Sequence, residues 1–161
     1  MMQRGERGEL EMLSSAPIFC MQVEVADPLL LGFTPYGERR IVQILGGRFE
    51  GPKLSGRILP GGADWQIIRS DGVADLQARY TIESDAGARI YVRSDGMRHG
   101  PREVLEAVAR GDPVDPSRYY FRTVLRFETS DPAAAWLNRI IAVGRGAREK
   151  LAVKLDVYEV L

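Results

Sequence analysis

The segment VADLQARYTIES, residues 73–84, alternates between apolar and polar side chains along its length. Its apolar positions are Ala74, Leu76, Ala78, Tyr80 and Ile82. A period of two places them on one face of an extended chain, whereas an amphipathic helix repeats about every 3.6 residues. The segment is therefore predicted to be a β-strand, and the turn at 85–87 predicts an antiparallel hairpin with the next strand.

Shorter apolar stretches between glycine- and proline-rich turns predict further strands. They are IFCMQVEV (18–25), RRIVQIL (39–45), RFE (48–50), SGRIL (55–59), DWQIIR (64–69), ARIYVRS (88–94), YYFRTVLRFET (119–129), RIIAVG (139–144) and KLAVKLDVYEV (150–160). Two segments carry helix signals instead. Pro101 and Gly111 bracket an apolar stripe, and Asp131 with Pro132 forms an N-terminal cap signal.

Many short strands without regular strand–helix alternation favour an antiparallel sheet, and closing the sheet removes its exposed edges. The fold is therefore predicted to be mainly β: a single-domain antiparallel β-barrel with two short α-helices, spanning residues 16–161. Residues 1–15, rich in Gly, Arg and Glu, are predicted to be a flexible N-terminal arm.

The composition narrows the function classes. The 161 residues carry 22 basic and 22 acidic side chains, and this balance argues against nucleic-acid or anionic-membrane partners. The apolar runs are too short to span a membrane, and the first ten residues lack a signal-peptide core, so the predicted location is the cytoplasm. With Cys20 and His99 as the single residues of their kinds, we predict no disulfide, no metal and no cofactor.

The stretch LPGGADWQIIRSDG, residues 59–72, places a carboxylate beside an indole after two glycines. On a regular strand, Asp64 and Trp65 point to opposite faces, so one of them is expected inside the barrel. A bulge after the glycines would bring both to the same side.

The polar faces of two strands leave two interpretations open. Arg79 lies on the polar face of residues 73–84, while Tyr120, Arg122 and Glu128 share the polar face of residues 119–129. These side chains either form salt bridges on a solvent face or line a lumen, where arginines would bind an anion in a bidentate manner.

Several ordered blocks resemble the family named domain of unknown function 3237, also called UPF0311. They are TPYGERRIVQILGGRFEGPKLSGRILPGGADWQIIRSDG (34–72), LQARYTIESDAGARIYV (76–92), YYFRTVLRFET (119–129) and AWLNRIIAVGRGAR (135–148). The resemblance covers the chain from Phe19 to its last residue, and RILPGGADW and YYFRT are its most specific blocks. It implies a small β-barrel with short helical segments, and it implies no reaction.

The acids, arginines and aromatic residues within these blocks favour a small-molecule site in the barrel. The candidate catalytic acids and bases are Asp64, Glu50 and Glu128. The candidate substrate-binding residues are Trp65, Arg79, Tyr80, Tyr120, Arg122, Trp136 and Asn138. The expected chemistry is metal-free proton transfer on an anionic, carbonyl or aromatic molecule. The alternatives are a non-catalytic, lipocalin-like binding barrel and a homodimer that pairs through the C-terminal strand.

Overall fold

The computed structural model describes residues 11–161, which form ten β-strands, one α-helix and two 3₁₀ helices. The strands are β1 (Phe19–Val25), β2 (Leu29–Thr34), β3 (Gly37–Glu50), β4 (Gly56–Ile58), β5 (Gly62–Ile68), β6 (Ala74–Ser84), β7 (Arg89–His99), β8 (Tyr120–Glu128), β9 (Ile141–Arg148) and β10 (Ala152–Val160). The helices are α1 (Arg102–Arg110) and the 3₁₀ helices Pro116–Arg118 and Pro132–Arg139. Residues 1–10, most of the predicted arm, lie outside the described residues.

The sheet closes on itself. Its order runs β1-β10-β9-β8-β7-β6, after which β4 and β5 both lie between β6 and β3, and β3 pairs with β1. These pairings are antiparallel, so the predicted mainly β fold and its antiparallel barrel are confirmed. The second predicted helix is a 3₁₀ helix, opened by the Asp131 side chain, which accepts the N–H of Ala133 at 2.8 Å.

Strand β3 closes the barrel by pairing with four other strands. Its first half pairs with β2 and β5, and its second half pairs with β1 and β4. The chain passes through Gly46 and Gly47 without leaving the sheet, so the two strands predicted at 39–45 and 48–50 are one strand. Gly47 has a φ of +135°, and a Cβ there would overlap the carbonyl oxygen of Gln22. A glycine is therefore required where β3 bends between its two sets of partners.

Strand β2 was not among the predicted strands. It forms a hairpin with the first half of β3, and Thr34 stabilises the turn by donating to the carbonyl of Gly37 and accepting the N–H of Tyr36. Its sequence, LLLGFT, lacks the alternation that marks a half-buried strand. The pattern is missing because β2 lies outside the closed barrel, where Leu29, Leu30 and Leu31 are all exposed.

The C-terminal strand β10 lies between β1 and β9 and pairs with both. Both of its edges are occupied, so it cannot add a strand from a second copy of the chain. Strand β10 therefore lacks the free edge that the predicted homodimer would need for strand pairing. At its end, Val160 forms a β-bridge with Leu13, so part of the predicted arm lies against the barrel.

The barrel interior contains two apolar clusters at different heights. The larger one includes Phe19, which meets Phe49 and Phe127 edge-to-face at centroid distances of 5.2 and 5.9 Å. At the other end of β6 and β8, Val104 and Val108 of α1 join a second cluster. The first end is filled by aromatic and aliphatic side chains, and α1 packs against the second.

The bend in β3 predicts the effect of substituting its glycine. We expect Gly47→Ala to destabilise the protein by more than about 3 kcal/mol, because left-handed backbone strain adds to a clash with Gln22. The matched change Gly32→Ala, at φ +85° with no atom within 4 Å of the added Cβ, should cost only about 1–2 kcal/mol. Urea unfolding measures both, and equal losses would contradict this account of the bend.

Candidate functional site

Strand β5 brings a carboxylate into the barrel and leaves its neighbouring indole outside. Asp64 and Gln66 line an interior cavity of about 60 Å³. Trp65 is 46 % exposed and borders an outer groove of about 330 Å³ with Tyr36 and Asp75. The strand keeps its parity after the two glycines, so the carboxylate and the indole do not share a site.

The cavity combines apolar walls with a few polar groups. Valine, leucine and isoleucine side chains from β1, β3, β6 and β10 form most of its surface. Its polar residues are Asp64, Gln66, Ser94, Arg98, Thr123 and Arg148. An apolar cavity with a few convergent polar groups is typical of a small-molecule site.

Two hydrogen bonds fix the Asp64 carboxylate. The side-chain amide of Gln66 donates to Oδ2, and the backbone N–H of Gln77 donates to Oδ1, both at 2.9 Å. The second bond replaces a bond of the sheet ladder, because β5–β6 pairing stops at Asp64–Ala78 and resumes at Ile67–Asp75. The carboxylate is thus held by the barrel wall itself, which preorganises it.

The surroundings of Asp64 favour its protonated form. Burial raises the pKa of the Asp64 carboxyl above its usual value, and this effect outweighs the two hydrogen bonds and the attraction of Arg98 and Arg148. A carboxyl group with a raised pKa can give and take a proton nearer to neutral pH than a surface aspartate can.

Three arginines lie at the same end of the barrel as Asp64. Arg40 lies on β3 and shares the inward face of Val42, while Arg98 and Arg148 end β7 and β9 and line the cavity. The Arg98 guanidinium lies over the Phe121 ring, 5.4 Å from its centroid. The backbone N–H of Arg148 donates to the Tyr119 hydroxyl at 2.9 Å.

These guanidinium groups are partly buried and lie close enough to repel one another. Burial, and then repulsion from Arg148 and Arg40, lowers the pKa of Arg98 to about 10. Burial also lowers the pKa of Arg148, although Asp64 partly opposes that effect. Sequence reasoning missed all three arginines, because each follows a glycine- or charge-rich stretch without a motif, and only the strand register brings them together.

Most of the residues predicted for the site lie on the outer face. Arg79 forms an ion pair with Asp95 at 2.8 Å, and Arg122 is exposed and donates to the carbonyl of Phe121. Tyr120 stacks on His99 with ring centroids 4.9 Å apart. The remaining predicted catalytic acids, Glu50 and Glu128, end β3 and β8 as exposed side chains.

The last three predicted residues have structural contacts. Tyr80 lines the cavity floor, where its hydroxyl donates to the Met21 sulfur at 3.5 Å and burial raises its pKa. Trp136 packs on the larger core cluster beneath the Lys53 ammonium. Asn138 forms two hydrogen bonds with the backbone of Thr129 and so secures the 3₁₀ helix. Of the residues predicted for the site, the cavity brings together Asp64 and Tyr80.

Two further observations concern residues 11–161 alone. No three histidine, cysteine, aspartate or glutamate side chains there form a group that could hold a metal ion. None of the helices in this range has the length and apolar character needed to cross a bilayer.

Fold and cavity together define a small closed antiparallel barrel with a carboxylate and three arginines at one end. The family model described as "Protein of unknown function (DUF3237)" matches residues 13–160. The UPF0311 protein RPA1785 of Rhodopseudomonas palustris is 44% identical over 149 residues, which cover 92% of this chain and 97% of that protein. The chain belongs to this family, also named UPF0311, and the resemblance seen in the sequence is confirmed.

Solved structures share the barrel. The RPA1785 crystal structure matches with a TM-score of 0.87 at 43% identity, over 94% of this chain and 99% of that one. ABAYE2633 of Acinetobacter baumannii, described as a beta-barrel like protein, gives 0.81 at 43% identity over 96% and 100%. A Penicillium herquei protein described as an enzyme gives 0.69 at 18% identity over 94% and 97%, which establishes likeness of fold alone.

The raised pKa of Asp64 predicts a pH dependence of stability. The folded chain holds this proton more tightly than the unfolded chain, whose carboxyl has a pKa near 3.8. The contribution of Asp64 to the free energy of unfolding is therefore largest in acid and falls as the pH rises through the folded pKa. Asp64→Asn removes this term, so the free energy of unfolding of the wild type minus that of the variant should decline as the pH rises from the unfolded pKa near 3.8 through the folded pKa.

Urea unfolding at a series of pH values measures that difference. The variant can keep both local hydrogen bonds if the Gln66 amide rotates, so it should fold. The control Asp156→Asn lies on the exposed face of β10. Parallel pH profiles for the wild type and Asp64→Asn would contradict a raised pKa.

Proposed function

We propose that the barrel binds a small anionic, carbonyl or aromatic molecule in its cavity and that Asp64 transfers a proton to or from this molecule. The observation that carries the proposal is the buried Asp64 carboxyl, which has a raised pKa, two fixed hydrogen bonds and two neighbouring arginines. Such a group is suited to general acid–base catalysis because its proton leaves and returns at a pH closer to neutral than that of a surface aspartate.

The arrangement supports chemistry next to a carbonyl group. Ionised Asp64 would take the proton from the carbon beside the carbonyl, and the electron pair of that C–H bond would move to the carbonyl oxygen. Arg98 and Arg148 would stabilise the resulting enolate oxygen. Returning the proton to a different atom gives an isomerisation. Attack of the enolate carbon on a second carbonyl group of the same molecule gives a cyclisation, in which the C=O π bond opens and its oxygen takes the proton held by Asp64.

The position of Asp64 in the cavity supports it over the other acids. Glu50 and Glu128 end their strands on the outer face, away from the cavity. At the level of fold alone, the Penicillium herquei protein with the same barrel is described as an enzyme, so the proposal is compatible with this scaffold.

Deuterium exchange tests the proposed proton transfer. We expect the wild type to catalyse exchange of the protons beside the carbonyl of 2-oxobutanoate or acetophenone in D₂O, followed by proton NMR. Asp64→Asn should reduce the rate at least about 100-fold, the usual contribution of a general acid–base group. Asp156→Asn should retain the wild-type rate, because Asp156 is on the outer face.

A wild-type rate that persists in Asp64→Asn would assign the proton transfer elsewhere. Binding of these compounds without any exchange would favour the non-catalytic binding barrel, in which Asp64 only pairs with the arginines.

Self-association is a second candidate, and strand β2 favours it. One edge of β2 pairs with β3, and within residues 11–161 its other edge has no strand partner. Leu30 and Phe33 on this strand are 65% and 88% exposed. An exposed apolar edge strand is a common site of pairing between chains.

Light scattering after size-exclusion chromatography tests this candidate. A dimer should form in the wild type and dissociate in Leu30→Lys, because a lysine on an edge strand opposes pairing. A monomeric wild type at high concentration would remove the candidate.

A further inference from the structure

The three interior arginines have no carboxylate in the described part of the chain that forms an ion pair with them. Within residues 11–161, ion pairs with carboxylates are formed by Arg57, Arg69, Arg79, Arg89, Arg102 and Arg110. Among the described residues, Arg40, Arg98 and Arg148 form none, although they point into the barrel. Exposed arginines such as Arg93 and Arg145 form none either, but their charges lie in water. Stability alone predicts the opposite, because an unpaired charge costs most where it is shielded from water.

Two of these arginines, Arg40 and Arg148, leave buried hydrogen-bond donors unused. Across the described part of the chain, the buried polar side-chain atoms without a partner are Arg40 Nε, Arg148 Nη1 and Thr123 Oγ1. Thr123 and Arg148 line the cavity, and Arg40 acts electrostatically on both Arg98 and Arg148. Unpartnered buried donors call for an acceptor, and two of these three donors belong to residues that line one cavity, with Arg40 close to its arginines.

The charge balance indicates the charge of that acceptor. Two carboxylates act on these arginines: Asp64 in the wall of the cavity, and the exposed Asp27, which acts on Arg148. With both ionised, one guanidinium charge is left over, and with Asp64 protonated two are left over, so the acceptor that would balance them is an anion. A guanidinium matches the planar fork of a carboxylate in a bidentate manner.

We propose that the ligand of this barrel carries one carboxylate, which Arg40, Arg98 and Arg148 bind, while an apolar remainder of a few carbon atoms lies between the valine and leucine side chains of the cavity. The proposal rests on the proposed function for its location in the barrel, and it does not depend on proton transfer by Asp64. A cavity of about 60 Å³ limits the remainder to a short chain.

This binding mode would also orient the ligand. Holding the carboxylate at the arginines places the next carbon atoms at the level of Asp64, because Arg40 pairs with Gln66 and Val42, two positions further along β3, pairs with Asp64. An ester or amide of the same chain would lose the charge that the arginines require. The site would therefore select 2-oxo acids over neutral ketones of equal size.

Calorimetric titration with 2-oxobutanoate tests the proposal, with methyl 2-oxobutanoate, inorganic phosphate and chloride as comparison ligands. We expect 2-oxobutanoate to bind, and Arg98→Met and Arg148→Met to weaken it at least about ten-fold each, the usual size for a charge-assisted hydrogen bond. The matched controls Arg93→Met and Arg145→Met change exposed arginines on the outer faces of the same two strands and should leave binding unchanged.

A second readout separates loss of binding from loss of folding. Removing an unpaired buried charge should stabilise the free protein, so Arg98→Met is expected to raise Tm by about 2 °C or more while carboxylate binding is lost. A lower Tm together with intact binding would overturn the proposal. Binding of phosphate or chloride in preference to 2-oxobutanoate, or equal binding of the methyl ester, would overturn it as well.

The Asp64→Asn variant distinguishes this proposal from the acid–base role. Carboxylate binding should persist or tighten in it, because a negative charge beside the arginines is gone, even though deuterium exchange is lost. If exchange is lost in Asp64→Asn while Arg98→Met and Arg148→Met bind 2-oxobutanoate as the wild type does, the acid–base role stands and the proposed carboxylate site is wrong. If the wild type binds 2-oxobutanoate through the arginines but catalyses no exchange, the carboxylate site stands and the acid–base role is wrong.

Discussion

Closure of the sheet is the constraint on which the rest of the molecule depends. In a closed barrel every strand has an inside and an outside, so the two-residue period of the chain assigns each side chain to the core or to solvent. The glycines at 46 and 47 make closure possible by letting β3 bend between its two sets of partners. Once the barrel is closed, Asp64 has to face inward and Trp65 outward, whatever chemistry either residue could perform.

Local patterns predicted the fold well because a strand that is buried on one face alternates between apolar and polar residues in its sequence. The apolar face of β6 and the core face of β8 lie inside, as their alternation indicates. Strand β2 is the exception. It flanks the barrel and has no buried face, so its apolar and polar residues do not alternate.

The candidate site could be predicted only in part, because its members are joined by register. Asp64 stood out through its setting among glycines and an indole. Arg79 and Arg122 looked equally suitable, yet their strands turn them outward, where Arg79 pairs with Asp95. Arg98 and Arg148 come from strands that are far apart in sequence, and no local signal indicates that both residues line the same cavity as Asp64. Long-range pairing decides which charged residues meet, and a single sequence does not display it.

The bond between the Gln77 amide and the Asp64 carboxylate has a consequence for spectroscopy. An amide proton shared with a carboxylate oxygen is deshielded differently when that oxygen gains a proton, so the Gln77 resonance should follow the charge state of the carboxyl. Because Gln77 also borders the outer groove, the reporter lies in the wall between the two sides of the barrel. The Gln77 amide resonance of β6 therefore reports the protonation state of Asp64 inside the cavity.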